Sequence, residues 1–251
     1  MNESHPCIEI SVHRLLDGTP KTQLEAIFPE HAGFEAQLPV WRPGRYELGQ
    51  FAQYMYQMEG QAEDGTWQAL TKTDLHRWQV PAGMQRLRWI FYADLFNAGS
   101  TGVADDVVYI NPVNCFLFDA KHPEYGYRIA LADVPNDWDV ATGLHRERDC
   151  LIARDVQHVM DSPILAAPKL WHHAYESHGL PFHIWAYGIH TPDAERFVRE
   201  HQAFTDAQIA HFGSFPAPHY HFMYVFPERE VRHGVEHEDT TVIALGPSEK
   251  C

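Results

Sequence analysis

Short runs in which apolar residues alternate with polar ones, each closed by turn residues, fill the chain from Cys7 to about Ala174. That rhythm points to a β-rich body and away from a helical bundle. In Ile8-Glu9-Ile10-Ser11-Val12 every second residue is apolar, as a half-buried strand requires, and Asp17-Gly18-Thr19-Pro20 makes a turn before Leu24-Glu25-Ala26-Ile27-Phe28 resumes the alternation. Asp64-Gly65 reads as a hairpin tip joining Tyr56-Gln57-Met58-Glu59 to Trp67-Gln68-Ala69-Leu70. Further strands are predicted at residues 78–80, 87–93, 107–110, 116–118 and 127–131. Seventeen Pro and sixteen Gly spread along 251 residues supply the turns. The series predicts a β-sandwich or an open β-sheet domain.

The pattern changes near Leu180. Residues 182–187 read as a strand, and Thr191-Pro192-Asp193 opens a helix, with Thr191 as N-cap and Pro192 at the first helical position. Ala194, Phe197, Val198, His201 and Phe204 share one helical face, and Gly213 is the stop. Residues 219–226 and 236–245 are further strand candidates. The expected class is α+β, mainly β, with one domain over residues 1–178 and a second, incomplete one over 179–251. One helix and three strands leave apolar surface uncovered, which predicts a homodimer or poor solubility.

The net charge of −15, from 34 acidic and 19 basic residues, repels phosphate backbones and anionic lipid. Nucleic acid and membrane are therefore not expected as partners. No run approaches the roughly 18 apolar residues of a membrane span. The amino terminus has no basic stretch followed by an apolar one, so no signal peptide is read there. Cys7, Cys115, Cys150 and Cys251 are widely spaced with no C-x-x-C, which suits reduced thiols in a cytoplasmic protein.

Eighteen histidines are the unusual count. His219 and His221 would lie on one face of a strand, a spacing used in metal sites, but no Glu follows at a useful distance, and ordinary strand histidines are the preferred reading. His172-His173, with His178, reads as part of a solvated connector. His233-Gly234-Val235-Glu236-His237 has two His four apart, but in the helical zinc signature H-E-x-x-H the Glu directly follows the first His. In an extended strand these imidazoles would stand about 13 Å apart and could not share one ion. No metal ligand is assigned in the chain. A P-loop, a G-x-S-x-G elbow and a dinucleotide-binding glycine fingerprint are all absent.

Four segments together resemble the glycyl aminopeptidase family, zinc peptidases related to thermolysin that often carry a PDZ domain. Leu38-Pro39-Val40-Trp41-Arg42-Pro43-Gly44-Arg45-Tyr46 is similar to its P-x-W-x-P-G-x-Y run, and Trp138-Asp139-Val140-Ala141-Thr142-Gly143-Leu144 to its W-x-V-A-T-G-L. Asp161-Ser162-Pro163 matches a D-S-P, and His233-Gly234-Val235-Glu236-His237 is similar to G-G-L-E-H. The resemblance implies an amino-terminal β-domain followed by the start of a thermolysin-like α/β subdomain. It further implies that residues 234–236 form an edge strand whose backbone pairs with a peptide substrate, Glu236 gripping the substrate's α-ammonium. Gly234 and Val235 would supply backbone contacts. His237 would belong to the same substrate-binding set, and Asn111 or Asn114 would approach the cleft. The family's H-E-x-x-H does not occur in these 251 residues, so zinc is expected in a complete protein, and the chain by itself is expected to be inactive.

The resulting expectation is the amino-terminal part of a zinc aminopeptidase that removes Gly or Ala from peptides. The alternative is a non-catalytic β-sandwich protein binding peptides or carbohydrate through exposed aromatics. A histidine-rich metal-handling protein is a third reading, resting on composition alone.

Overall fold

The computed structural model describes residues 6–15, 17–42, 46–189 and 193–247. The strands are, in chain order, β1 (Cys7–Leu15), β2 (Lys21–Ile27), β3 (Phe34–Gln37), β4 (Met55–Gln61), β5 (Trp67–Ala69), β6 (Thr71–Asp74) and β7 (Arg77–Val80). They continue with β8 (Arg86–Tyr92), β9 (Gly102–Ala104), β10 (Val107–Ile110), β11 (Phe118–Asp119), β12 (Gly126–Leu131), β13 (Asp139–Ala141) and β14 (His145–Glu147). The last seven are β15 (Cys150–Ala153), β16 (Ile164–Ala167), β17 (Trp171–Ser177), β18 (Leu180–Tyr187), β19 (Tyr220–Val225), β20 (Val231–Glu236) and β21 (Thr240–Gly246). Three α-helices join them: α1 (Pro112–Cys115), α2 (Val156–Met160) and α3 (Ala194–Phe212).

The fold is mainly β, in the α+β class, as the alternation predicts. Layers stack because successive faces are apolar. An eight-stranded sheet, in the order β14-β15-β12-β1-β2-β8-β4-β5, and a four-stranded one, β11-β3-β7-β6, enclose the largest core. Ile8, Ile10, Leu24, Leu87 and Trp89 meet Phe34, Ala36, Trp78 and Val80 there. A second four-stranded sheet, β13-β16-β10-β9, lies between layers, and every residue of β10 and β16 is buried. Val108, Ile110, Ile164 and Ala166 face the first core, while Val107, Tyr109, Leu165 and Ala167 face a second core shared with Met223, Val225, Val235, Val242 and Ala244. This two-sided burial explains why β10 and β16 are unbroken apolar runs.

The latter five residues belong to a sheet in the order β17-β18-β19-β21-β20. Its other face carries Phe182, Ile184, Phe222 and Tyr224, packed against Ile209 of α3. The β18–α3–β19 unit is a parallel crossover, β19 and β21 are also parallel, and β20 closes the sheet antiparallel to β21.

Several expectations need correction. Residues 172–173 form part of a strand, β17, rather than a loop; β17 pairs with β18 from Trp171 to Ser177, so this sheet has five strands and begins ahead of residue 178. One face of β17 (His172, Ala174, Glu176) is exposed and the other sets the partly buried Trp171 and Tyr175 beside polar His173 and Ser177, so it carries little apolar alternation to read. Residues 116–118 are not a strand throughout: helix α1 ends at Cys115, and only Phe118–Asp119 pairs, with β3. Asp193, not Thr191, is the N-cap of α3, accepting from the Arg196 N–H; Thr191 and Pro192 lie outside the described residues, as do Pro43, Gly44, Arg45 and Cys251. At the other end Gly213 takes the left-handed conformation, as the stop signal predicts.

Candidate functional site

Strand β20 pairs on one side only, with β21, and is the edge of its sheet. Strand alternation decides what each residue does. Val235 is opposite Val242 and is buried in the core shared with the β-body. Gly234 and Glu236 are exposed, opposite Ile243 and Thr241. Glu236 borders a cavity of about 620 Å³ on the α3 side of the sheet, lined by Phe182, Phe204, Phe212, Tyr220 and Phe222. The hydroxyls of Tyr220 and Thr241 are 2.5 Å apart beside it. Burial raises the Tyr220 phenol above its ordinary range, and the carboxylates of Glu236, Asp239 and Asp161 push the same way.

The turn from β20 to β21 is docked on the β-body. Nδ1 of His237 lies 2.8 Å from Oδ1 of Asp161, and the backbone N–H of Glu238 donates to Oδ2 of Asp161 at 2.9 Å. Arg154 reaches the Glu238 carboxylate at 3.0 Å. His219 Nε2 lies 3.5 Å from Asp239 and 3.3 Å from the carbonyl of Gly143. On the β-body side a cavity of about 230 Å³ is bordered by Arg42, Asn97, Asn114 and His233, with His233 Nδ1 3.3 Å from the Asn97 side-chain oxygen. A neighbouring cavity of about 260 Å³ brings Trp41 and Arg42 together with Asp161. The four sequence segments singled out by resemblance thus converge around one hairpin.

Of the predicted site residues, the structure brings Gly234 and Glu236 to the open edge. Val235 offers only its backbone. His237 does not face the groove: its side chain is 2% exposed and turned to Asp161. Asn111 is fully buried, its backbone tied to the Thr101 hydroxyl, while Asn114 borders the smaller cavity. Asp161, Arg154 and Tyr220 were not assigned roles from sequence; the pairing of a D-S-P with an E-H segment was the one available sign for Asp161.

Among the described residues no group of three or more His, Cys, Asp or Glu could hold an ion. His172 Nε2 and His183 Nδ1 are 3.2 Å apart as hydrogen-bond partners, and Trp185 Nε1–H donates to Nδ1 of His221.

An edge strand that pairs in its sheet on one side only and ends in a carboxylate is suited to an extended peptide with a charged amino end. Residues 19–168 match the family described as the Peptidase M61 N-terminal domain. The chain belongs to this family. The M61 N-terminal domain match covers the β-body, and β20 lies beyond it. A solved structure of an aminopeptidase N family protein from Idiomarina loihiensis has the same fold, with a TM-score of 0.85 at 20% identity. The alignment covers 95% of this chain and 42% of that one, so this chain spans less than half of that structure's length. An M1 zinc metallopeptidase from Deinococcus radiodurans aligns over 96% of this chain and 59% of its own, at 12% identity and a TM-score of 0.45. No curated protein sequence matches the chain. The resemblance to the amino-terminal part of a peptidase family therefore holds at this coarser level.

Proposed function

We propose that this chain is the substrate-gripping part of an aminopeptidase, and that β20 receives the amino end of a peptide as an added strand. The single observation that carries the reading is the placement of Glu236, exposed at the end of a one-sided edge strand and bordering a cavity. A charge-assisted bond from that carboxylate to an α-ammonium would select free amino ends over blocked ones. The M61 N-terminal domain match supports a peptidase. On the strength of the sequence resemblance, the finer reading is a cytoplasmic glycyl aminopeptidase preferring Gly and Ala. The residues ahead of β17 would form its amino-terminal domain, and the five-stranded sheet that begins at β17, with α3, the opening of a thermolysin-like domain. Its zinc would be held by residues other than those described here.

The test is hydrolysis of Gly-, Ala- and Phe-headed tripeptides by the intact protein, compared with the Glu236→Gln variant. Glu236→Gln should lower kcat/KM by about 10- to 100-fold, the loss of one hydrogen bond to a charged group. Cleavage unaffected by the substitution, or no cleavage of free-amine peptides, would overturn the reading.

A further inference from the structure

Glu236 and His237 are consecutive, and strand geometry sends consecutive side chains to opposite faces. Their faces differ sharply. Glu236 is exposed on the α3 side, whereas His237 is buried against the β-body, where Nδ1 donates to Asp161. The same carboxylate accepts the N–H of Glu238. Both oxygens of one residue, from a different layer of the fold, thus hold two successive residues of the turn that follows the anchor.

We propose that Asp161 and His237 are positioning residues for Glu236: their clamp fixes the register of the β20–β21 hairpin, and with it the face on which the carboxylate stands. This rests on the peptide-binding reading of β20. A slip of one residue would exchange the two faces, turning Glu236 inward and leaving a histidine at the open edge. Within β20 itself few side chains oppose such a slip: Val235 is the one fully buried apolar side chain, Val231 is partly buried, and His233 reaches Asn97 from an exposed position. A purely stabilising role fits poorly, because His237 Nε2 is buried with no hydrogen-bond partner, an arrangement that costs stability.

The test measures, by titration calorimetry on this chain, the affinity for Gly-Ala-Ala and for its N-acetylated form. Wild type should favour the free amine at least tenfold, and Glu236→Gln should abolish the preference. Asp161→Asn and His237→Leu should reduce it to near that of Glu236→Gln. Adding Glu236→Gln to either should change it no further. His237→Gln, which keeps a donor for Asp161, should retain most of it. A stability effect alone would lower the melting temperature and leave the ratio of the two affinities intact. A wild-type preference that survives Asp161→Asn and His237→Leu, in protein still folded by circular dichroism, overturns the clamp while leaving the reading of β20 standing. No preference in wild type overturns both.

Discussion

The carboxylate of Asp239 occupies the space that Gly143 leaves open: a Cβ at Gly143 would collide with both carboxylate oxygens. Asp239 is buried, accepts a hydrogen bond from the hydroxyl of Thr240 at 2.9 Å, and through its backbone carbonyl accepts the N–H of His221. A loop of the β-body and the entry to β21 are therefore fitted to each other at one glycine.

Gly143→Ala should destabilise the protein by about 1–3 kcal/mol, the usual cost of forcing a methyl group into a packed site. Urea unfolding measures it. Shortening the opposing side chain with Asp239→Ser in the same protein should recover part of the loss. Full stability in the single variant would show that the loop yields freely.

Acid should unfold the protein through its buried imidazoles. Burial holds the His221 imidazole down to about 3, and His183, His219 and His172 push it the same way. Burial also lowers His183, His172 and His201. His221 is neutral in the fold over the range where an unfolded histidine, near pH 6.5, takes up a proton, and the other three resist protonation in the same direction. The unfolded chain then binds more protons, so stability is full above about pH 6.5 and falls as pH drops below it, for His221 down to about 3. His221 alone should contribute a slope of up to roughly 1.4 kcal/mol per pH unit in that window. Unfolding free energies at pH 7.5, 6.0 and 5.0 measure it, and His221→Gln should flatten the slope. A stability independent of pH across that range would refute this account.

Trp89 is fully buried, and its indole N–H donates to the carbonyl of Cys115 at 2.8 Å, tying β8 to the end of α1. Trp89→Phe leaves that carbonyl without its partner and should cost about 1–3 kcal/mol. Trp89→Ala adds a cavity and should cost about 3–5 kcal/mol. Near-equal losses for the two variants would show that the hydrogen bond, not the volume, dominates.

Phe212, at the end of α3, is 77% exposed and borders the large aromatic cavity. Apolar surface of this kind should drive self-association, opposed by the net charge of −15 and so stronger at high salt. Light scattering at rising concentration and salt should show dimers. Phe212→Ser should reduce them while shifting stability by less than about 0.5 kcal/mol. A monomer under every condition would remove the homodimer.

The sequence by itself determined the β-rich body, because burial on one face writes a period of two into β1, β2 and β8, and turn chemistry marks their ends. It also determined the body of α3, from its apolar face to the glycine stop. It placed Gly234 and Glu236 on one strand. That this strand is an edge was implied by the family resemblance alone, since nothing local distinguishes a strand with one neighbour from a strand with two, and the tertiary structure shows it. Strand β17 is illegible for a related reason: polar residues stand on both of its faces, and its large apolar ones, Trp171 and Tyr175, are only partly buried. Partners such as Asp161 and His237, or Gly143 and Asp239, are far apart along the chain, and long-range contacts of single polar groups leave no periodic trace. Folding brings such groups together, and with them the direction in which Glu236 faces.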